Sequence, residues 1–261
     1  MAQVPNAVSK GRADKARPFA QQSPGRVIWE NVKGFAGVAL VFLLMRAFVM
    51  EAYRIPSPSM VPSLLVGDWL FVNKFIYGAH IPFTDAHLPA VRAPRKGDIV
   101  VFVSPRQDDL AAQGEDPTPT LVKRLRGTAG DTLYMRHAVL YINGVPQNEP
   151  FTRADPHATD GYDPLFAWQT RVGLRESRFG PAPLQPTHDN WGPLVVPPGH
   201  LFMMGDNRYD SKDSRYWGFV PIGNVRGQPM FVYYSYNGDD SDRPLPAITD
   251  IRWSRIGHWI K

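Results

Sequence analysis

Val139-Leu140-Tyr141-Ile142-Asn143-Gly144 decides the fold class of this chain. An apolar, β-prone run ends in Asn-Gly, the dipeptide that tolerates positive φ at both central positions of a tight hairpin turn. A strand that doubles back here is antiparallel to its successor. The same grammar extends outward in both directions, as short apolar runs cut by Gly, Pro, Asn and Asp. Asp68 to Lys74, Asp98 to Val103, Thr120 to Arg126, Thr132 to Ile142, Leu201 to Met204 and Met230 to Tyr236 read as strands. Beyond residue 50 no 12-residue stretch keeps a helical period. The expectation is a mostly β chain with an antiparallel β-sheet body. Residues 51–134 and 194–261 form that body, and residues 135–193 form a smaller inserted subdomain. Gln107 to Pro119 reads as a loop. Phe151 to Pro193, rich in Pro, Gly and isolated aromatics, contributes few long strands.

Composition narrows the class. The 261 residues include 26 prolines and no cysteine, and 43% are apolar. The apolar content is that of a folded protein, and proline is about twice its usual ~5%. Missing cysteine excludes a disulfide scaffold, a thiol nucleophile and a cysteine zinc site. The net charge of +5 is unevenly spread. Lys10, Arg12, Lys15, Arg17, Arg26 and Lys33 face only Asp14 and Glu30 before residue 34, so nearly all of the excess precedes the body. A nearly neutral body is not a nucleic-acid footprint.

Residues 1–31 read as a disordered basic tail. Val32 to Met50 is apolar apart from Lys33 and Arg46, which sit near its ends where long side chains can reach the headgroups. As a helix its 19 residues span about 28 Å, close to a hydrocarbon core. The expectation is one transmembrane anchor in a lipid bilayer, basic end in the cytoplasm. A buried core helix is the rival, because the uninterrupted run from Gly34 to Met45 is short. A cleavable leader fits less well, since no small-x-small site follows.

Three segments of the body carry chemistry. Ile55-Pro56-Ser57-Pro58-Ser59-Met60-Val61-Pro62-Ser63-Leu64 alternates prolines with serines. Proline fixes φ, so the stretch is expected to be extended, stiff and able to aim a hydroxyl. Alone, it also reads as a proline-rich stalk. In Leu121-Val122-Lys123-Arg124-Leu125-Arg126, strand alternation sets Lys123 between Leu121 and Leu125 on one face. A lysine desolvated there has a lowered pKa and can serve as a general base. The plainer reading is an edge strand with Lys123 reaching water. The third segment, Gly205-Asp206-Asn207-Arg208-Tyr209-Asp210-Ser211-Lys212-Asp213-Ser214-Arg215, follows an apolar strand and reads as a polar loop in which Asp213 and Arg215 pair. Its carboxylates lack calcium-loop spacing. No G-x-S-x-G, P-loop, G-x-G-x-x-G or H-E-x-x-H occurs.

Anchor, P-S-x-S-M-x-P, G-D-W-L, K-R and G-D-N-R-x-x-S-x-D-S-R, in that order, resemble the bacterial type I signal peptidases, membrane-bound Ser-Lys endopeptidases of mostly antiparallel β fold. The resemblance covers roughly residues 35–126 and 195–228. It implies removal of signal peptides from preproteins after small-x-small sites, at the outer, periplasmic side of the bacterial plasma (inner) membrane; the one anchor read above makes the chain single-pass, whereas some members have two. It implies Ser59 as nucleophile, Lys123 as its base, and an oxyanion held by Ser59 N–H and the Ser57 hydroxyl. Ser211 matches the residue that orients the lysine, and Asp206, Asp213 and Arg215 match bracing residues. Ile55, Pro56, Met60, Leu64, Leu121 and Val122 are the expected substrate-binding set. No cofactor and no metal are implied. Pro58 departs from the usual glycine, and Ser63 from the usual threonine. Three alternatives stay in view: a self-cleaving Ser-Lys repressor, which would need a DNA-binding N-terminal domain, a pilin or conjugation maturation peptidase, and a catalytically dead β scaffold on an anchor.

Overall fold

The computed structural model describes residues 24–261 other than 82, 83, 85, 107–119, 154, 156, 158, 176, 239 and 240. The tail expected over residues 1–23 and the loop expected over Gln107 to Pro119 lie outside the described residues. Two units are distinguished, Met1–Leu43 and Leu44–Lys261.

In the first unit, helix α1 spans Pro24–Leu44 and is followed in the chain by a π-helical turn, Met45–Val49. The helix begins eight residues before Val32, so residues 24–31, read as tail, are helical. Proline is well placed at a helix start because its missing N–H would have no partner there. Arg26 and Glu30, four apart, pair at 3.2 Å and support the first turns. Ile28–Val49 is long and apolar enough to cross a membrane, with a mean hydropathy of 1.9.

The second unit is antiparallel β. Its main sheet holds seven strands: β1 (Met50–Arg54), β2 (Asp68–Asn73), β3 (Ile99–Val103), β4 (Thr120–Thr128), β9 (His200–Met204), β10 (Val220–Pro221) and β11 (Val225–Ser235), in the order β1-β2-β11-β3-β4-β9-β10. A four-stranded sheet, β7-β6-β5-β8, is made of β5 (Thr132–Arg136), β6 (Val139–Ile142), β7 (Val145–Pro146) and β8 (Trp191–Val195). The Asn-Gly hairpin forms as read: Asn143 and Gly144 have φ of 53° and 87°, and Ile142 pairs with Val145.

Three strand readings differ from the structure, each for a local reason. Thr132 to Ile142 is two strands, because the chain turns at His137-Ala138, both at positive φ, with no Gly or Asn to mark it. β8 contains Gly192-Pro193, at the end of the Pro- and Gly-rich stretch expected to contribute few long strands. It is tolerated because β8 is an edge strand. β11 is longer than its apolar core because Gly227 and Pro229 are accommodated by register shifts against β3 and β2.

β3 is buried along its whole length. Ile99 and Val101 pack with Ile55, Met60, Leu64, Leu70, Val72 and Val232, whereas Val100 and Phe102 pack with Leu125, Leu201, Met203, Val220 and Val225. The neighbouring β4 is thereby held in the interior, with Lys123 paired in register to Val100. This is what removes Lys123 from water.

Candidate active site

The serine segment is extended only as far as Ser57, at φ −134°, ψ 154°. Pro58–Met60 is then a single 3-10 turn, closed by Val61 N–H donating to Pro58 O at 3.0 Å. A proline φ suits a helical turn as well as extended backbone, so the expectation of one straight stretch fails at Pro58. The turn leaves Ser59 N–H without an intrahelical acceptor. Two bonds from Asn207 grip the turn: its backbone N–H donates to Ser59 O (3.1 Å) and its side-chain amide to Pro58 O (3.3 Å).

Ser59 and Lys123, 64 residues apart, meet. Lys123 Nζ lies 2.6 Å from Ser59 Oγ, and the two residues are 4% and 7% exposed for Lys123 and Ser59 respectively. Burial lowers the Lys123 pKa from 10.5 to about 8. Asp213, Asp206 and Asp210 push the other way, and Arg215 assists the fall. The two carboxylates with the largest opposing effect are already engaged: Asp213 binds Arg215 at 2.8 Å and Asp206 binds Arg124 at 2.7 Å. Ser57 Oγ lies 3.3 Å from Ser59 Oγ, so its hydroxyl reaches the neighbourhood of the nucleophile.

Ser211 is placed differently from the expectation. Its hydroxyl is buried and makes no hydrogen bond to a described residue, Lys123 included. It occupies the space that a side chain on residue 205 would need: a Cβ on Gly205 would lie 2.1 Å from Ser211 Oγ and 2.6 Å from Ser59 O. Glycine at 205 therefore lets the loop approach the serine turn.

The bracing carboxylates are fully used. Asp213 caps the helical turn Ser214–Trp217, accepting from Arg215 N–H at 3.1 Å and Gly205 N–H at 2.9 Å. Arg215, fully buried, also donates to Arg208 O at 2.7 Å. Asp206 takes two bonds from Arg124 and one from the Ser63 hydroxyl at 2.6 Å. Arg124 further donates to Gly97 O and Lys261 O. Asp68 of G-D-W-L accepts from Ser235 Oγ (2.7 Å) and pairs with Arg255, a structural role.

Of the expected substrate set, Ile55, Met60, Leu64 and Val122 come together in one apolar cluster, where Met60 and Leu64 are almost wholly buried. Leu121 packs on the other cluster, as alternation along β4 requires, and Pro56 is exposed. Several contributors escape sequence reasoning. Trp168 and Gln169, from the inserted residues, both donate to Arg215 O, at 2.8 and 2.9 Å. Glu149 pairs with Arg126 and Arg208. No local pattern marks either; only Asn207 lay inside a segment already singled out.

The site matches a known family. A family model described as "Signal peptidase, peptidase S26" matches residues 28–234. Signal peptidase I of Pseudomonas fluorescens is 34% identical over 244 residues, covering 87% of this chain and 78% of that one. Signal peptidase I of Pseudomonas aeruginosa is 34% identical over 247 residues, with the same coverage. The chain belongs to the S26 family of signal peptidases, and it is a peptidase.

Proposed function

We propose that this peptidase removes signal peptides from exported preproteins by a Ser59–Lys123 dyad. The observation that carries the reading is the 2.6 Å contact between Lys123 Nζ and Ser59 Oγ, made by a lysine that is almost fully buried. Neutral Lys123 takes the Oγ proton as Ser59 attacks the scissile carbonyl. Ser59 N–H and the Ser57 hydroxyl stabilise the oxyanion. Collapse breaks the C–N bond, and the Lys123 ammonium protonates the leaving amine. Water then attacks the acyl-enzyme and gives a proton to Lys123; as the acyl C–Oγ bond breaks, the Lys123 ammonium passes that proton to Ser59 Oγ, which frees the acid product and restores both groups.

The substrate lies extended against the segment around Ile55, which favours small residues at shallow sites. Ile55, Met60, Leu64 and Val122 form the floor of these sites, and Pro56 and Leu121 flank the path. Ser211, Asp206, Asp213 and Arg215 support the site without reacting. Residues 51–134 and 194–261 carry the chemistry, with 135–193 inserted. The apolar helix anchors the chain once in the bacterial inner membrane, basic side in the cytoplasm and body at the periplasmic face.

The test is cleavage of a model preprotein by wild type, Ser59→Ala and Lys123→Met in detergent. Cleavage by wild type alone is expected. Equal cleavage by either variant overturns the dyad.

A further inference from the structure

Glu149 lies outside every segment that the sequence associates with chemistry, yet its side chain is 8% exposed. Its Oε1 lies 2.8 Å from Arg126 Nε of β4 and 2.6 Å from Arg208 Nη2 of the polar loop. One carboxylate thus answers two nearly buried guanidinium groups, which are 7% and 10% exposed. Two residues on, Phe151 lies under Arg124 and Arg126, at 4.0 and 5.5 Å from its ring centre. Arg153 then pairs with Asn207 as a short parallel bridge, its N–H donating to Asp206 O at 2.9 Å. Arg208 N–H returns a bond to Arg153 O at 3.3 Å.

Residues 149–153 therefore form a strap from the four-stranded sheet to the loop segment Asp206-Asn207-Arg208. That segment is the one whose Asn207 grips the carbonyls of Pro58 and Ser59. Arg208 also donates to Gly205 O at 3.1 Å, tying Glu149 to the glycine beside Ser59 and Ser211.

Resting on the dyad reading above, we propose that Glu149 is a positioning residue of the peptidase. It locks the strap to the loop, and so holds Ser59 against Lys123, while neutralising the two guanidiniums behind the base. The chemistry requires a charge here. An uncharged side chain leaves Arg126 and Arg208 without a counter-ion in a site that excludes water, where the cost is high. The groups facing Lys123 from the loop are Asp206, Asp210, Asp213 and Arg215, and those facing Glu149 are Arg126 and Arg208, with Arg124 beyond Phe151. Arg126 is three residues from Lys123 on β4, about 10 Å along the strand. Removing the negative charge raises the local positive potential and disfavours the ammonium form of Lys123.

The experiment compares wild type, Glu149→Gln, Glu149→Asp and Ser59→Ala as full-length chains on one preprotein, with kcat and KM measured across pH and folding followed by thermal melting. For Glu149→Gln, kcat is expected to fall roughly 10- to 100-fold with KM little changed. The acid limb of its pH profile should move down by about half a unit. Glu149→Asp, which keeps the charge, should leave the acid limb at the wild-type pH even where kcat falls. If Glu149→Gln loses activity only in proportion to the unfolded fraction, or its acid limb stays in place, Glu149 is structural and the inference is wrong. If Ser59→Ala cleaves like wild type, the dyad reading itself fails, whatever Glu149 does.

Discussion

Lys123 and Arg124 are neighbours on β4, each 4% exposed, and the pleat sends them to opposite sides. On one side Arg124 and Arg126 meet carboxylates in direct contact, Asp206 at 2.7 Å and Glu149 at 2.8 Å. On the other, Lys123 meets a serine hydroxyl, and among the described residues no carboxylate forms an ion pair with its ammonium. Both faces bury cations, but among the described residues only the arginine face supplies carboxylates in direct contact; those that act on Lys123 do so from a distance. The carboxylates closest in effect to Lys123 are committed to arginines, so desolvation wins and the base is brought within reach of neutrality. A cation is kept charged by pairing and made reactive by withholding the pair.

The largest effect expected from breaking this contrast comes from Lys123→Arg. A guanidinium stays charged at any working pH and cannot accept the Ser59 proton. Preprotein cleavage should fall by about 10⁴-fold or more, as for loss of a triad member, and residual turnover near wild type would sink the base assignment. Next comes the paired side. Arg124→Met leaves Asp206 buried without its guanidinium, and denaturant unfolding should register a loss of about 3–5 kcal/mol. A loss under 1 kcal/mol would mean that the pairing on this face carries little.

The unpaired side should behave in the opposite sense. A lysine with pKa about 8 when folded and 10.5 when unfolded costs stability wherever the unfolded state holds more protons. Lys123→Met should therefore stabilise the fold by about 3 kcal/mol below pH 8. That advantage should fade as pH rises from 8 to 10.5, which melting curves across this window would show. A variant less stable than wild type at pH 7 would contradict the picture. Ser57→Ala is expected to cost about 100-fold in kcat, the scale of one oxyanion donor. Unchanged kcat would place the Ser57 hydroxyl outside the reaction. The subtlest signature is the wild-type profile: kcat/KM should climb with pH and level off above about 8, where Lys123 is neutral. A plateau already reached at pH 6 would require another base.

Much of this was legible in the residues alone. Alternation along Leu121 to Arg126 puts Lys123 on an apolar face, but the burial of β4 on both sides, Arg124 and Arg126 included, is not in that pattern, which also suits an edge strand. Asn143-Gly144 marked its hairpin because positive φ has a residue signature. The turn at His137-Ala138 and the strand through Gly192-Pro193 have no residue signature, because the sheet, not the local sequence, imposes them. At the site, Ser59 stood out among prolines, whereas the 3-10 turn at Pro58 did not, since proline permits both conformations. Among the described residues Ser211 Oγ makes no hydrogen bond, so the orienting bond expected of it is missing there, and Asn207 grips the serine turn instead.

By itself the sequence determined the antiparallel β character, the apolar helix, and the residues able to supply a hydroxyl and a base, because these depend on periodicity and side-chain chemistry within a few residues. Only the tertiary structure decided that Ser59 and Lys123 touch across 64 positions, that Asp206 and Asp213 are spent on arginines, and that Glu149 reaches the same network from the other sheet. Desolvation and ion pairing depend on what packs around a group, and a linear pattern cannot specify neighbours that distant segments bring.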